Sequence, residues 1–235
     1  MIYLRHADKV HFAVGAMCII SGAFYLAAEF LAVMYCSSPL SAYFLHTISE
    51  LGVPIGEPFD GVISSFSPAA PLMNGALIAA GSSLAFCLLS FYFLNGRRAD
   101  FMFPKSKRVS AIICAVLASL GTATVGICHA GSAIPVVETL HYIGASAAFF
   151  GGNLFSIITS GCFYEISPSL AVTGKAVGLL GIIFGAVTVA LQFLTPFKSL
   201  SGITERLTVY PIVLWDICVG VFMLKQNGKN IPSRR

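Results

Sequence analysis

Six apolar runs, each close to the length of a bilayer-spanning helix, leave this chain few residues from which to build anything else. They extend approximately from Val10 to Tyr35, Ala69 to Leu94, Val109 to Cys128, Thr139 to Tyr164, Thr173 to Thr195 and Val209 to Leu224. A hydrocarbon core of roughly 30 Å asks for about 20 apolar residues per helix. The runs therefore predict an all-α polytopic membrane bundle with six transmembrane helices, a single domain over residues 1–235. The last run is the shortest. Charged residues make up 10% of the chain, against about 25% in a soluble domain, which leaves no room for a separate soluble domain. The first run is too long for an ordinary signal-peptide core. The residues Val33 to Cys36 before Ser37 also lack the small-residue cleavage pattern, so the run is expected to stay as a helix.

Basic residues next to helix ends mark the cytoplasmic side. Arg5 and Lys9 precede the first run, and Arg97, Arg98, Lys105, Lys107 and Arg108 fill the second connection. Lys175 follows the fourth run, and Lys225, Lys229, Arg234 and Arg235 form the tail, leaving Lys198 and Arg206 for the other face. Both termini are thus expected in the cytoplasm and the connection over residues 36–68 outside. The net charge of +4 is accounted for by this topology signal and by anionic headgroups, with no nucleic acid partner. Of seven cysteines, Cys18, Cys87, Cys114 and Cys218 fall inside the runs, where a thiol serves as a small apolar group. Cys36 and Cys128 both lie at outer ends, where a disulfide is open to formation in an oxidising compartment.

Depth along the runs, at about 1.5 Å per residue, puts most isolated polar groups in the outer half. Glu29 comes late in the first run and Asn74 early in the second; His129 ends the third, while Glu138 and His141 open the fourth. Asn153 lies three turns deeper, and Asp216 about two turns down the sixth. An ionisable side chain at membrane depth costs about 2.5–3.5 kcal/mol on insertion scales, so it faces a cavity or a partner. Glu29 and Asp216 are therefore the informative pair, although each is also near enough to the interface for water or a neighbouring helix to satisfy it. His46, His129 and His141 with Glu50 or Glu138 include the residue types that bind zinc, but no compact metal spacing joins them. Histidines bonded to loop backbone, headgroups or water are the plainer account. No resident metal or other cofactor is expected.

The connection from Cys36 to Pro68 is long and strongly apolar, with Glu50, Glu57 and Asp60 its only charges. A water-exposed disordered segment has the opposite composition. It is expected to pack over the outer mouth of the bundle as a lid, with a short helix from Leu40 to Glu50 stopped by Gly52 and Pro54. This carries His46, Ser49 and Glu50 above the other outward polar groups. Arg206 is expected to pair with Glu50 or Glu138 there. Gly144, Ala148 and Gly152 form one small-residue stripe, and Gly174, Gly178, Gly181 and Gly185 another; such stripes allow close helix packing, and the alternative is a groove for a lipid tail. Pro211 is expected in the first turn of the last helix, where proline is tolerated.

The stretches "ISELG", "HYIGASAAFFGGNLFSIITSG", "GITERL" and "LWDICVG" together resemble the prokaryotic six-helix membrane family known as domain of unknown function 998. Its Ser-Asp-Leu-Gly element corresponds to Ser49, Glu50, Leu51 and Gly52, with Glu in place of Asp. Its other elements fall on His141, Gly144, Ala145, Phe150 and Asn153, and on Glu205, Arg206 and Trp215. The resemblance implies a fold and a prokaryotic cell membrane, and no reaction.

Three functional classes follow. The first is a lipid-handling protein or an accessory subunit of a transport or envelope complex, with membrane lipids and another membrane protein as partners. Its binding site is the outward polar cluster Glu29, His46, Ser49, Glu50, Asn74, His129, Glu138, His141, Asn153, Arg206 and Asp216. The second is an intramembrane metal-dependent lipid hydrolase with His46, His129 and His141 as ligands, which would use the metal to activate water. The third is a small ion-coupled transporter, for which no clear internal repeat is present. Serine-based hydrolysis lacks a GxSxG elbow, and no residue is assigned a catalytic role.

Overall fold

A computed structural model describes residues 2–59, 62–63, 67–94, 105–164, 166–192, 194 and 200–226. Six long helices dominate it: α1 Ile2–Met34, α4 Ala70–Leu94, α5 Lys105–Ile127, α6 Pro135–Ser160, α7 Pro168–Leu191 and α8 Ser201–Gln226. Two short helices, α2 Pro39–Phe44 and α3 Ile48–Leu51, occupy the first connection. A two-residue antiparallel pairing, β1 Pro58–Phe59 with β2 Val62–Ile63, follows them, and a single 3₁₀ turn over Gly161–Phe163 ends α6. Arg97, Arg98, Lys198, Lys229, Arg234, Arg235, Asp60 and Pro196, all used in reading the topology or the lid, lie outside the described residues, as do the side chains of Arg5, Lys9, Cys87 and Lys105.

The helices run unbroken although Pro211 lies inside α8, and prolines open several of the others. Pro39, Pro135 and Pro168 each sit in the first turn of their helix, where the missing N–H would have had no intrahelical partner. Five helices are long and apolar enough to cross a membrane: Phe12–Met34, Lys107–Ile127, Pro135–Phe163, Pro168–Leu191 and Ser201–Lys225. In α4 the apolar stretch with described side chains is Ala70–Ala85. Large apolar side chains also point away from the bundle on every side. Phe30, Leu120, Ile143, Ile183 and Leu214 are each at least half exposed, an arrangement suited to hydrocarbon and costly in water. The chain is a multi-pass helical membrane protein.

The six helices close a ring in chain order. α1 packs on α4, α4 on α5, α5 on α6, α6 on α7 and α7 on α8, and α8 returns to α1. Small residues set the closest approaches. A Cβ on Gly181 of α7 would overlap the Asn153 side chain, and one on Gly174 would overlap the Trp215 ring. Asn153 and Trp215 are fully buried or nearly so. The glycine stripe of α7 is therefore filled by α6 and α8 and is no groove for a lipid tail, which settles the alternative in favour of packing.

The chain differs from the expected boundaries most in α8. The helix begins at Ser201, two turns before the predicted Val209, so Glu205 and Arg206 are helical and Pro211 lies in the helix interior. Hydropathy ends a span where charges appear, but here the charges have partners inside the protein. α6 and α7 likewise begin at Pro135 and Pro168, ahead of Thr139 and Thr173. The single lid helix expected from Leu40 to Glu50 is broken at Leu45 to Thr47. Thr47 adopts an extended conformation and its side chain accepts from the Glu50 N–H, starting a new helix at Ile48 as an N-cap does. Cys36 and Cys128 are free and buried, and the Cys36 thiol donates to the Ala32 carbonyl at 3.2 Å. The disulfide left open by the sequence is not formed.

Candidate functional site

The lid is held by α8 through a buried polar clamp. Arg206 Nε donates to Glu29 Oε1 at 2.8 Å, tying α8 to α1. Its Nη1 donates to the His46 carbonyl at 2.7 Å and the Gly202 carbonyl at 3.0 Å. The Tyr43 ring lies 4.6 Å below the guanidinium, within cation–π range. The Tyr210 hydroxyl donates to Glu29 Oε1 at 3.2 Å and lies 3.2 Å from the Tyr43 hydroxyl. Arg206 and Glu29 are each 2% exposed, so this is an interior ion pair. Its described partner is Glu29, which corrects the expected pairing of Arg206 with Glu50 or Glu138.

Glu205, the neighbouring residue, holds the other half of the lid. Its Oε2 accepts from the Ile48 N–H at 3.0 Å and its Oε1 from the Ser49 hydroxyl at 2.9 Å. Close contact is possible because Gly202 lies one turn before Arg206: a Cβ there would stand 2.7 Å from the His46 carbonyl oxygen. From the opposite side the Asn74 amide donates to the Gly52 carbonyl at 2.7 Å. The Ser67 hydroxyl donates to the Leu51 carbonyl at 2.6 Å. The start of α3 is thus fixed to α8, and its end to α4 and to the segment preceding α4.

The remaining candidates separate from one another. His46 and Glu50 form a partly exposed pair, Nδ1 to Oε2 at 2.5 Å. His129 Nδ1 is 3.0 Å from the adjacent Ala130 carbonyl, and His141 Nδ1 is 2.6 Å from the Cys128 carbonyl. A carbonyl only accepts, so the His141 ring carries a proton on Nδ1, and the neutral ring presents Nε2 as an acceptor. Glu138 stands in the first turn of α6, the helix end that favours an acid. Asn153 donates from its amide to the Phe149 and Thr208 carbonyls at 2.8 and 3.1 Å, linking α6 to α8. Among the described residues no group of three or more His, Cys, Asp or Glu is placed to hold a metal ion. The expected cluster is brought together in part: Ser49 and His141 line one cavity and Asp216 another.

Two cavities adjoin the clamp. A vestibule of about 430 Å³ lies between α6, α7, α8 and the lid. Ser49, His141, Ser146, Thr188, Gln192 and Glu205 supply its polar wall, with Ala145, Phe149 and Val189 beside them. Inside the ring lies a second, smaller cavity of about 80 Å³, bounded by α1, α3, α4, α5, α6 and α8. Ala145, Phe149 and Glu205 line both. Asp216 lines only the inner one, with Tyr25, Ser21 and Thr122 as further polar groups. Glu205, Tyr25, Tyr43 and Tyr210 were missing from the expected site. The signal for Glu205 was present in its spacing, since residues 205, 209, 212, 213 and 216 repeat at helical period along one face.

A ring of membrane helices with a clamped lid and two cavities beneath it defines the class to which this chain belongs. No family model, curated protein or solved structure matches it.

Proposed function

We propose that the protein handles a membrane lipid, holding the headgroup in the vestibule between α6 and α7 under the lid. The observation that carries this reading is the vestibule itself: a polar wall containing a carboxylate, an imidazole, an amide and three hydroxyls, continuous with apolar Phe149 and Val189. Tyr142, about half exposed at the bundle surface, also lines it, giving an amphiphile a lateral approach. Glu205, Gln192 and the His141 Nε2 offer acceptors, which suits a headgroup carrying N–H or O–H donors.

The same proposal sets α4 across the bilayer with the other five helices, both termini in the cytoplasm of a prokaryotic cell, and the lid outside. Support comes from the end opposite the lid, where Lys107, Arg108, Lys175 and Lys225 fall at or near the helix ends, as the positive-inside rule requires. Membership of the domain of unknown function 998 family belongs to this reading too. The residues behind that resemblance, Ser49, Leu51, Gly52, Glu205 and Arg206, make up the lid and its clamp.

Native mass spectrometry of the protein in nanodiscs made with its host lipids tests the reading. One lipid per chain should survive release from the disc, and Ser146→Trp, which fills the vestibule, should lower its occupancy about tenfold at equal lipid supply. Equal retention by both proteins would contradict the assignment.

A further inference from the structure

The inner cavity has a charge pattern that the lipid reading does not use. Glu205 and Asp216 lie eleven positions apart on α8, on one face and about 16 Å apart along its axis, and both line the cavity. Among the described residues no Lys, Arg or His lines it. Glu205 has each carboxylate oxygen bonded to the lid. Asp216 has no hydrogen-bond or ion-pair partner among the described residues. Arg206 on the same helix is held by Glu29 and by lid carbonyls. The Tyr25 hydroxyl, in a residue 2% exposed, also has no hydrogen-bond partner, and its residue lines the same cavity.

We propose that this cavity binds a lipophilic organic cation, a protonated amine carried on an apolar body, with Asp216 as the counter-charge. A carboxylate enclosed by hydrocarbon is stabilised by a cation that brings little hydration shell with it, and the surrounding walls select that cation. Leu77, Leu84, Val125, Ile212 and Val213 accept an apolar body. The Phe149 and Tyr25 rings add faces on which an ammonium can rest. A small hydrated metal ion would exchange its water for these walls and a single free carboxylate. The shared wall of Ala145, Phe149 and Glu205 sets the cavity beside the vestibule. The proposal stands independently of the lipid reading, because it rests on the inner cavity alone.

The experiment compares isobutylamine with isobutanol, which have the same branched body and differ in charge at neutral pH. Binding to the intact protein in nanodiscs is measured by titration calorimetry, with empty discs subtracted for partition into lipid. The amine should bind at least about tenfold more tightly than the alcohol, and Asp216→Asn should remove that preference while leaving alcohol binding unchanged. Ala80→Phe, which narrows the cavity from α4, should weaken both ligands together. Equal affinities in the unaltered protein, binding of neither ligand, or a preference that survives Asp216→Asn would each overturn the proposal. The comparison of the two ligands on the unaltered protein stands even if a variant fails to fold.

Discussion

Glu29 and Asp216 are both carboxylates carried by membrane helices, and the protein treats them in opposite ways. Glu29 meets a guanidinium at 2.8 Å and a phenol at 3.2 Å, and the same guanidinium carries the lid backbone. Asp216, which is partly exposed, faces a cavity with no cation in its wall among the described residues. The Glu29 charge, paired with Arg206, holds two helices and a loop in register. The Asp216 charge, partly exposed and without a protein partner among the described residues, is the one we propose for a ligand. The expense of placing an acid in the membrane is the same in both cases, and the surroundings decide whether it serves architecture or binding.

The sharpest way to break this contrast is to remove one partner of the clamp. Arg206→Met should leave Glu29 buried and uncompensated and destabilise the fold by about 3–5 kcal/mol, read as a lower SDS-unfolding midpoint. Adding Glu29→Met should recover part of that loss, because the pair is then replaced by apolar groups. A smaller effect is expected where α7 meets α6. Gly181→Ala forces its Cβ into the Asn153 side chain, and overpacking of this kind costs roughly 1–3 kcal/mol in the same assay.

The lid bond to Glu205 comes next. Ser49→Ala removes a hydroxyl donor to a carboxylate, worth roughly 2 kcal/mol, and should raise proteolysis within the lid more than it lowers global stability. The smallest effect should fall on the exposed side. His46→Ala breaks a pair whose histidine side chain is 37% exposed, and such pairs contribute about 0–1 kcal/mol. A loss as large as that of Arg206→Met would mean that the clamp is centred on His46.

Much of the bundle was legible in the sequence, because hydrophobic length alone sets a helix that crosses lipid. The lid was legible for a related reason, since a connection carrying Tyr43, Ile48 and Leu51 has to bury them somewhere. The start of α8 was not, because Glu205 and Arg206 read as the edge of the bilayer when taken alone. Arg206 meets Glu29 across 177 positions and Glu205 meets Ser49 across 156, and no local pattern announces contacts at such separation. The glycine stripes announced close packing, but their spacing did not say that Asn153 and Trp215 would fill them. Asp216 was visible as an isolated acid; its cavity exists only once α8 closes the ring against α1.

The most direct measurement compares Glu29→Gln with Asp216→Asn, two near-isosteric removals of one charge, by unfolding midpoint and by isobutylamine binding. Glu29→Gln should destabilise the protein by about 3 kcal/mol or more, while Asp216→Asn should leave the midpoint unchanged or higher and abolish the preference for the amine. Equal destabilisation by both, with amine binding intact in Asp216→Asn, would contradict the division between an architectural and a binding carboxylate.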